Sequence, residues 1–331
     1  MTEETGQKYT VAEPAKMLDY LLSLFQGTSR TTVKQMLSKG RVLLNGEPVT
    51  AFDARLRSGD RITVLPKAVS IARAATREAR EEVEAAGVKI VYEDDNYLVA
   101  DKPSGLLTIS TSRGSTSKSG RKEATLYAVL NAYVKTEARS RRKEDIASGI
   151  SPDRSTAKVW IVHRLDKGTS GLVVFAKNER AKDILQSRWK ELVLERRYIA
   201  WLEGRLEKEK GAIQSWLIEN PKSLKVYSSK EETPDGHLAI TNYKTISYGA
   251  IGRQPYTQAE FSLESGRKNQ IRVHASDIGH PIAGDQKYGA ETNPIHRLAL
   301  HAATLAFRNP ISNEVVRLRS PLPESFNRFK I

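Results

Sequence analysis

The residues whose types could do chemistry gather in one loop. His163-Arg164-Leu165-Asp166-Lys167-Gly168-Thr169-Ser170-Gly171 stands between two apolar segments, 159–162 and 172–176. It offers one carboxylate, two cations, two hydroxyls and two glycines. A carboxylate held in such a loop can serve as nucleophile, general base or ion-pair partner. An aspartate in a strand–loop–strand turn is also a common turn former. Residue types alone leave both readings open. Asp285 could make a glycosidase-like carboxylate pair with Asp166, but position along the chain does not fix their separation.

Other chemistries find no residues. Cysteine is absent, which excludes disulfide scaffolds, thiolate zinc sites, iron–sulfur clusters and cysteine nucleophiles. The six histidines form no HExxH pattern, and His274 and His280 lie six apart, so no metal site is expected. Neither GxxxxGK[ST] nor GxGxxG after a strand occurs, which removes the common phosphate-cradling loops. Lys and Arg number 53 against 39 Asp and Glu, a net charge of +14 over 331 residues. Such a balance favours an anionic partner, usually nucleic acid. The polar, acidic opening MTEETGQKYT predicts no secretory leader, and apolar runs such as 172–176 are too short to span a membrane. A soluble, cytoplasmic monomer is the expectation.

Two regions must position these residues. Residues 10–67 read as a small unit. Met17, Leu18, Leu21, Leu22 and Phe25 have helical spacing, Ser29 caps a second helix over 30–39, and Gly40 stops it. Asn45-Gly46 between apolar segments predicts a hairpin. Arg30 and Lys34 share a face of the second helix, Lys39 and Arg41 follow, and no acid lies between residues 30 and 41. That face can contact phosphates, or can be simply solvated. Residues 68–87, rich in Ala, Arg and Glu, predict a helical or semi-rigid linker. From residue 88 to 331 strands dominate, with helices at 126–134 and after Asn178. This gives an α+β fold with a mostly antiparallel, mixed sheet. Residues 110–145 carry nine basic and four acidic side chains. The basic segment 110–155 either guides an anionic partner or is a solvated loop.

Two resemblances sharpen the picture. Ser29-Arg30, Val33, Gly40, Val42, Asn45-Gly46 and Gly59-Asp60 are similar to the S-four-type RNA-binding domain. That likeness implies binding of structured RNA through Arg30, Lys34, Lys39 and Arg41. HRLDKGTSGL resembles the signature of RluA-type pseudouridine synthases. Asp101-Lys102-Pro103-Ser104-Gly105 resembles their first motif, and Glu195-Arg196-Arg197-Tyr198-Ile199-Ala200 the segment with a base-stacking tyrosine. The run from Ser265 through Gln270-Ile271-Arg272-Val273-His274 to Gly284-Asp285 resembles the third motif, and Arg297-Leu298-Ala299-Leu300-His301-Ala302 is a further match.

The resemblance implies isomerisation of uridine to pseudouridine in RNA, without a cofactor. Asp166 would act as nucleophile or base at the sugar, Arg272 as its ion-pair partner, and Tyr198 as a stacking platform for the flipped base. Arg164 would fill the space that the base leaves, or contact phosphate only. Ile271 would wall the pocket, and His163 and Lys102 join the substrate-binding group. Thr169, Ser170 and the glycines shape the loop, Gly168 and Gly171 through positive φ. By analogy with family members that carry the appended domain, large-subunit ribosomal RNA is the favoured substrate and transfer RNA the alternative.

Two residues depart from the pattern. Asn269 stands where His is usual and Ser265 where Thr is common. Both are expected to lie outside the ion pair. A non-catalytic RNA-binding or ribosome-assembly factor is the rival from another class. It would be expected to have lost Asp166, Tyr198 or Arg272, and all three are present.

Overall fold

The computed structural model describes residues 6–110, 123–147 and 157–329, without the side chains of 67–73, 144 and 147. Contacts divide the chain into two compact units, Met1–Glu84 with Asn131–Lys158, and Ala85–Leu130 with Val159–Ile331.

The first unit opens with strands β1 (Gln7–Thr10) and β2 (Ala15–Lys16) and helices α1 (Met17–Leu24) and α2 (Arg30–Ser38). Strands β3 (Val42–Leu44), β4 (Glu47–Pro48), β5 (Arg55–Leu56) and β6 (Arg61–Val64) follow, then helix α3 (Lys67–Ala85). Ser29 Oγ accepts from Thr32 N at 3.1 Å and so satisfies a free amide at the start of α2. The helix buries Val33, Met36 and Leu37 against Met17, Leu21, Val42 and Ile62. The β3–β4 turn places Asn45 and Gly46 at φ 53° and 96°, values these two residue types tolerate. Strands run in the order β1-β6-β3-β4, with β2 and β5 as a separate pair.

The second unit is built on one eleven-stranded sheet. Its elements are β7 (Lys89–Glu93), β8 (Tyr97–Lys102), the first residues, 126–130, of α4 (Leu126–Ala147), whose remainder belongs to the first unit, then β9 (Trp160–Ile161), β10 (Ser170–Ala176), α5 (Glu179–Ser187) and α6 (Trp189–Leu192). Then come β11 (Val193–Glu203), β12 (Lys210–Glu219), β13 (Val226–Ser229), β14 (His237–Ile251), β15 (Gln254–Leu263), α7 (Gln270–Asp277), β16 (Leu300–Arg308) and β17 (Val315–Arg319). The strand order is β13-β12-β14-β15-β11-β16-β10-β8-β7, with β17 on β16 and β9 on β10. Among the named strands, β10 and β16 pair in parallel, through Ser170–His301 and Gly171–Ala302. All other pairs of named strands are antiparallel. The fold is thus α+β with a mostly antiparallel mixed sheet. Strand β10 is buried at every residue, as expected for an apolar run with both faces covered.

Several details differ from the sequence reading. The helix expected to end at residue 134 runs to Ala147, because residues 135–147 are charged but hold no Gly or Pro. The helix after Asn178 breaks at Arg188, where Ser187 Oγ bonds back to the carbonyls of Asp183 and Ile184. Gly171 has φ 110°, whereas Gly168 is not among the positive-φ glycines; its place against Leu298 is what favours a small residue there. Parts of the basic segment 110–155, namely 111–122 and 148–155, lie outside the described residues.

Candidate active site

The loop from His163 to Thr169 is pinned from the end of β8 and the chain after it. Gly105 N donates to the Lys167 carbonyl at 2.8 Å, and Ser104 Oγ to the Gly168 carbonyl at 2.7 Å. Thr108 Oγ1 donates to the Leu165 carbonyl at 2.8 Å and accepts from Leu165 N at 3.2 Å. Lys102 is fully buried, and its ammonium donates to the carbonyls of Pro103, Leu106 and Lys167 at 2.9, 2.8 and 3.2 Å. Burial, with the charge of Arg297 adding to it and Asp166 opposing, pushes this amine down to about 7. Gly171 closes the loop against β16. A Cβ there would stand 2.2 Å from the Ala302 carbonyl oxygen.

Asp166 lines a pocket with Arg164, Tyr198, Lys268, Ile271 and Arg272. Its side chain keeps 28% of its surface open. Arg272, on α7, brings Nη1 to 3.3 Å from Asp166 Oδ2. The same guanidinium binds Asp285 twice, Nε to Oδ2 and Nη2 to Oδ1, each at 2.7 Å. It also lies 4.9 Å over the Tyr288 ring. Burial works against its charge, but the bonds to Asp285 and then the field of Asp166 hold its pKa above the ordinary arginine range. Tyr198, on β11, is nearly buried, and desolvation pushes its phenol up.

The structure therefore brings Asp166, Arg164, Tyr198, Ile271 and Arg272 to one pocket. It does not bring Lys102 or His163 to that lining. Lys102 spends its donors on main-chain carbonyls beneath the loop. His163 Nε2 accepts from Val174 N at 3.1 Å, and its ring packs on Trp189. Desolvation, with the charge of Arg196 added, holds this imidazole down to about 3. In this structure both support the loop and the strand that follows it. Asn269 is likewise not outside the ion pair, since its Oδ1 accepts from Arg272 Nη1 at 3.2 Å. Ser265 Oγ donates to Gln270 Oε1 and stays clear of the guanidinium. Asp285 is 1% exposed, so it serves Arg272 rather than forming a second open carboxylate with Asp166. Its place in the third motif was visible in the sequence, but the partner of its side chain was not.

Arg30, Lys34, Lys39 and Arg41 lie in the first unit. Arg30 sits 3.8 Å from Asp19, with both side chains exposed. Lys34 caps the exposed Phe52 ring at 4.5 Å, and Lys39 is exposed. Arg41 Nε donates to the Leu65 carbonyl at 3.0 Å, which leaves it less free than the others to meet a phosphate. Among the described residues, no group of three or more His, Asp or Glu side chains is placed to hold a metal, and no helix is long and apolar enough to cross a membrane.

Comparison with known proteins follows the two units. Residues 18–62 match the S4 domain, and residues 96–277 match the RNA pseudouridylate synthase family. An uncharacterized RNA pseudouridine synthase of Bacillus subtilis, YlyB, is 32% identical over 92% of this chain and 89% of its own length. The ribosomal large subunit pseudouridine synthase D of Xanthomonas campestris is 30% identical over 93% of this chain and 86% of its own. The fold is also that of human RNA pseudouridylate synthase domain containing 1, with a TM-score of 0.51 and 22% identity over 71% of this chain and 84% of that one. The chain belongs to the RNA pseudouridylate synthase family, and is an RNA pseudouridine synthase with an S4 domain.

Proposed function

We propose that this enzyme converts specific uridines of structured large-subunit ribosomal RNA to pseudouridine, with Asp166 as the reacting carboxylate. The observation that carries the reading is an open Asp166 carboxylate 3.3 Å from the Arg272 guanidinium, in a pocket lined also by Tyr198. The reaction breaks the bond from uracil nitrogen to ribose and remakes it through ring carbon; that carbon loses its proton and the freed nitrogen takes one up. No atoms or electrons are gained. As nucleophile or as base, Asp166 acts as a carboxylate, and the Arg272 guanidinium stands beside it as the opposite charge. The uridine reaches it by leaving its stack, with Tyr198 as platform, Ile271 as wall, and the exposed Arg164 filling the gap. Residues 88–331 carry this chemistry, and residues 10–67 hold the RNA through Arg30, Lys34 and Lys39, joined by 68–87. Arg41 adds a weaker contact.

Relatives in Xanthomonas campestris, Haemophilus ducreyi and Vibrio cholerae bear the name ribosomal large subunit pseudouridine synthase D, and this favours ribosomal RNA. Such a substrate places the monomeric enzyme in the cytoplasm. The test is a pseudouridine map of total cellular RNA from cells with the protein, without it, and with Asp166→Asn. Specific ribosomal positions should lose signal in both altered strains. Loss at transfer RNA positions would replace the substrate. RNA binding by the purified protein without pseudouridine formation would overturn the enzyme reading.

A further inference from the structure

The Arg272 guanidinium divides its donors unequally. Nε and Nη2 are committed to the buried Asp285. Nη1 alone faces the reacting side, and its two N–H groups meet two acceptors: Asp166 Oδ2 at 3.3 Å and Asn269 Oδ1 at 3.2 Å. The amide of Asn269 is held in one orientation. Its Nδ2 donates to the Tyr288 hydroxyl at 2.8 Å, and that hydroxyl also accepts from Val226 N at 3.1 Å. The backbone is equally specific. Asn269 takes φ 54° and ψ 18° just before α7, a left-handed conformation that asparagine adopts more readily than most residues.

We propose that Asn269, braced by Tyr288, is a positioning residue that keeps Arg272 hydrogen-bonded while Asp166 turns to the uridine. This rests on Asp166 being the reacting carboxylate. An Asp166 that leaves the guanidinium would strand a largely buried N–H, at a cost comparable to a lost hydrogen bond to a charged group. Asn269 Oδ1 is a neutral acceptor that keeps the other Nη1 N–H bonded and so holds the guanidinium in place. It does this without adding a charge that would compete with Asp166. The charged and titratable groups lining the pocket with Asp166 are Arg164 of the same loop, Tyr198 from β11, and Arg267, Lys268 and Arg272 before and on α7, while Lys102 beneath the loop and Lys287 beside Asp285 feel its charge from outside the lining. None of them is a second open carboxylate, and Asn269 preserves that balance.

The test measures single-turnover pseudouridine formation on total RNA from cells lacking the protein, between pH 5 and 9. Asn269→Asp puts a second negative charge on the shared nitrogen. The acid limb of its rate profile should move up by about one pH unit, with RNA affinity unchanged. Asn269→Gly suits the backbone and deletes the acceptor, and Tyr288→Phe keeps the ring but removes the anchor. Both should slow the step about tenfold at saturating RNA without raising the RNA concentration needed, as loss of one charge-assisted bond predicts. Thermal melting identifies any variant that fails to fold, and the remaining ones carry the result. Unaltered rates and an unaltered pH limb in the folded variants overturn the proposal. An active Asp166→Asn protein would instead overturn the assignment of Asp166, whatever the Asn269 variants do.

Discussion

Arg272 binds Asp285 at 2.7 Å through two nitrogens and reaches Asp166 with a third at 3.3 Å. The tight pair is the buried, supporting one, and the looser pair faces the pocket. A guanidinium is suited to this division because its planar fork grips one carboxylate and leaves a nitrogen over.

Arg272→Ala is therefore expected to act on two quantities. It leaves Asp285 buried without its partner, which costs about 3–5 kcal/mol of stability. It also removes the cation beside Asp166. Arg272→Lys keeps a charge but not the fork. It should recover part of the stability in urea unfolding while turnover stays at least about a hundredfold down. Normal turnover by the lysine variant would remove Arg272 from the mechanism.

Tyr198 contributes a ring at the pocket. Tyr198→Phe keeps the platform and should stay close to full rate. Tyr198→Leu gives up base stacking of about 1–3 kcal/mol, a loss of roughly 5- to 150-fold in kcat/KM. Equal rates for the two variants would show that the ring only fills the core.

Two desolvated histidines, His274 buried and His163 half-buried, make the fold acid-sensitive. Desolvation, with the Arg196 charge added, holds His163 down to about 3. Desolvation holds His274, bonded to Ser215 and Thr241, down to about 4. Each stays neutral in the native state while the unfolded chain takes a proton near pH 6.5. Stability is then full above pH 6.5 and falls on acidification toward pH 3–4. Between pH 7.5 and 5 each histidine should remove up to about 2 kcal/mol, read as a lower urea midpoint. His274→Gln should flatten that dependence, and an unchanged pH slope would contradict the assignment.

On the first unit, Lys34→Gln and Lys39→Gln should weaken binding to all structured RNAs alike. Each should lower the slope of log K against log salt by about 0.7–0.9 for every phosphate contact removed. Arg41→Gln should change it less, since its Nε is already given to the Leu65 carbonyl.

Much of the site was legible because its chemistry is carried by contiguous motifs. Asp166, Tyr198, Ile271 and Arg272 were each marked by their neighbours in sequence. What lay hidden was direction. Lys102 is next to a motif proline and glycine, yet nothing in sequence says that its ammonium turns to three carbonyls instead of the pocket. Asn269 was visible as an exception, but its link to Arg272 depends on a left-handed residue at the start of α7. Within the fold, β12 was not singled out because its alternation is weak, with only Ser215 and Leu217 buried along ten residues. The length of α4 was missed because high charge resembles a loop when its packing partner is unknown.

The parallel pairing of β10 with β16 sets an order of events during synthesis. Gly171 meets Ala302, and Ser170 meets His301, partners 131 positions apart in the chain. Translation at 5–20 residues per second separates the two strands by on the order of ten seconds. Over that interval the loop that carries Asp166 exists without the strand that closes it, and Arg272 and Asp285 have yet to emerge for much of it. A nascent chain whose first unit can already grip RNA is thus held inactive until its last third is made.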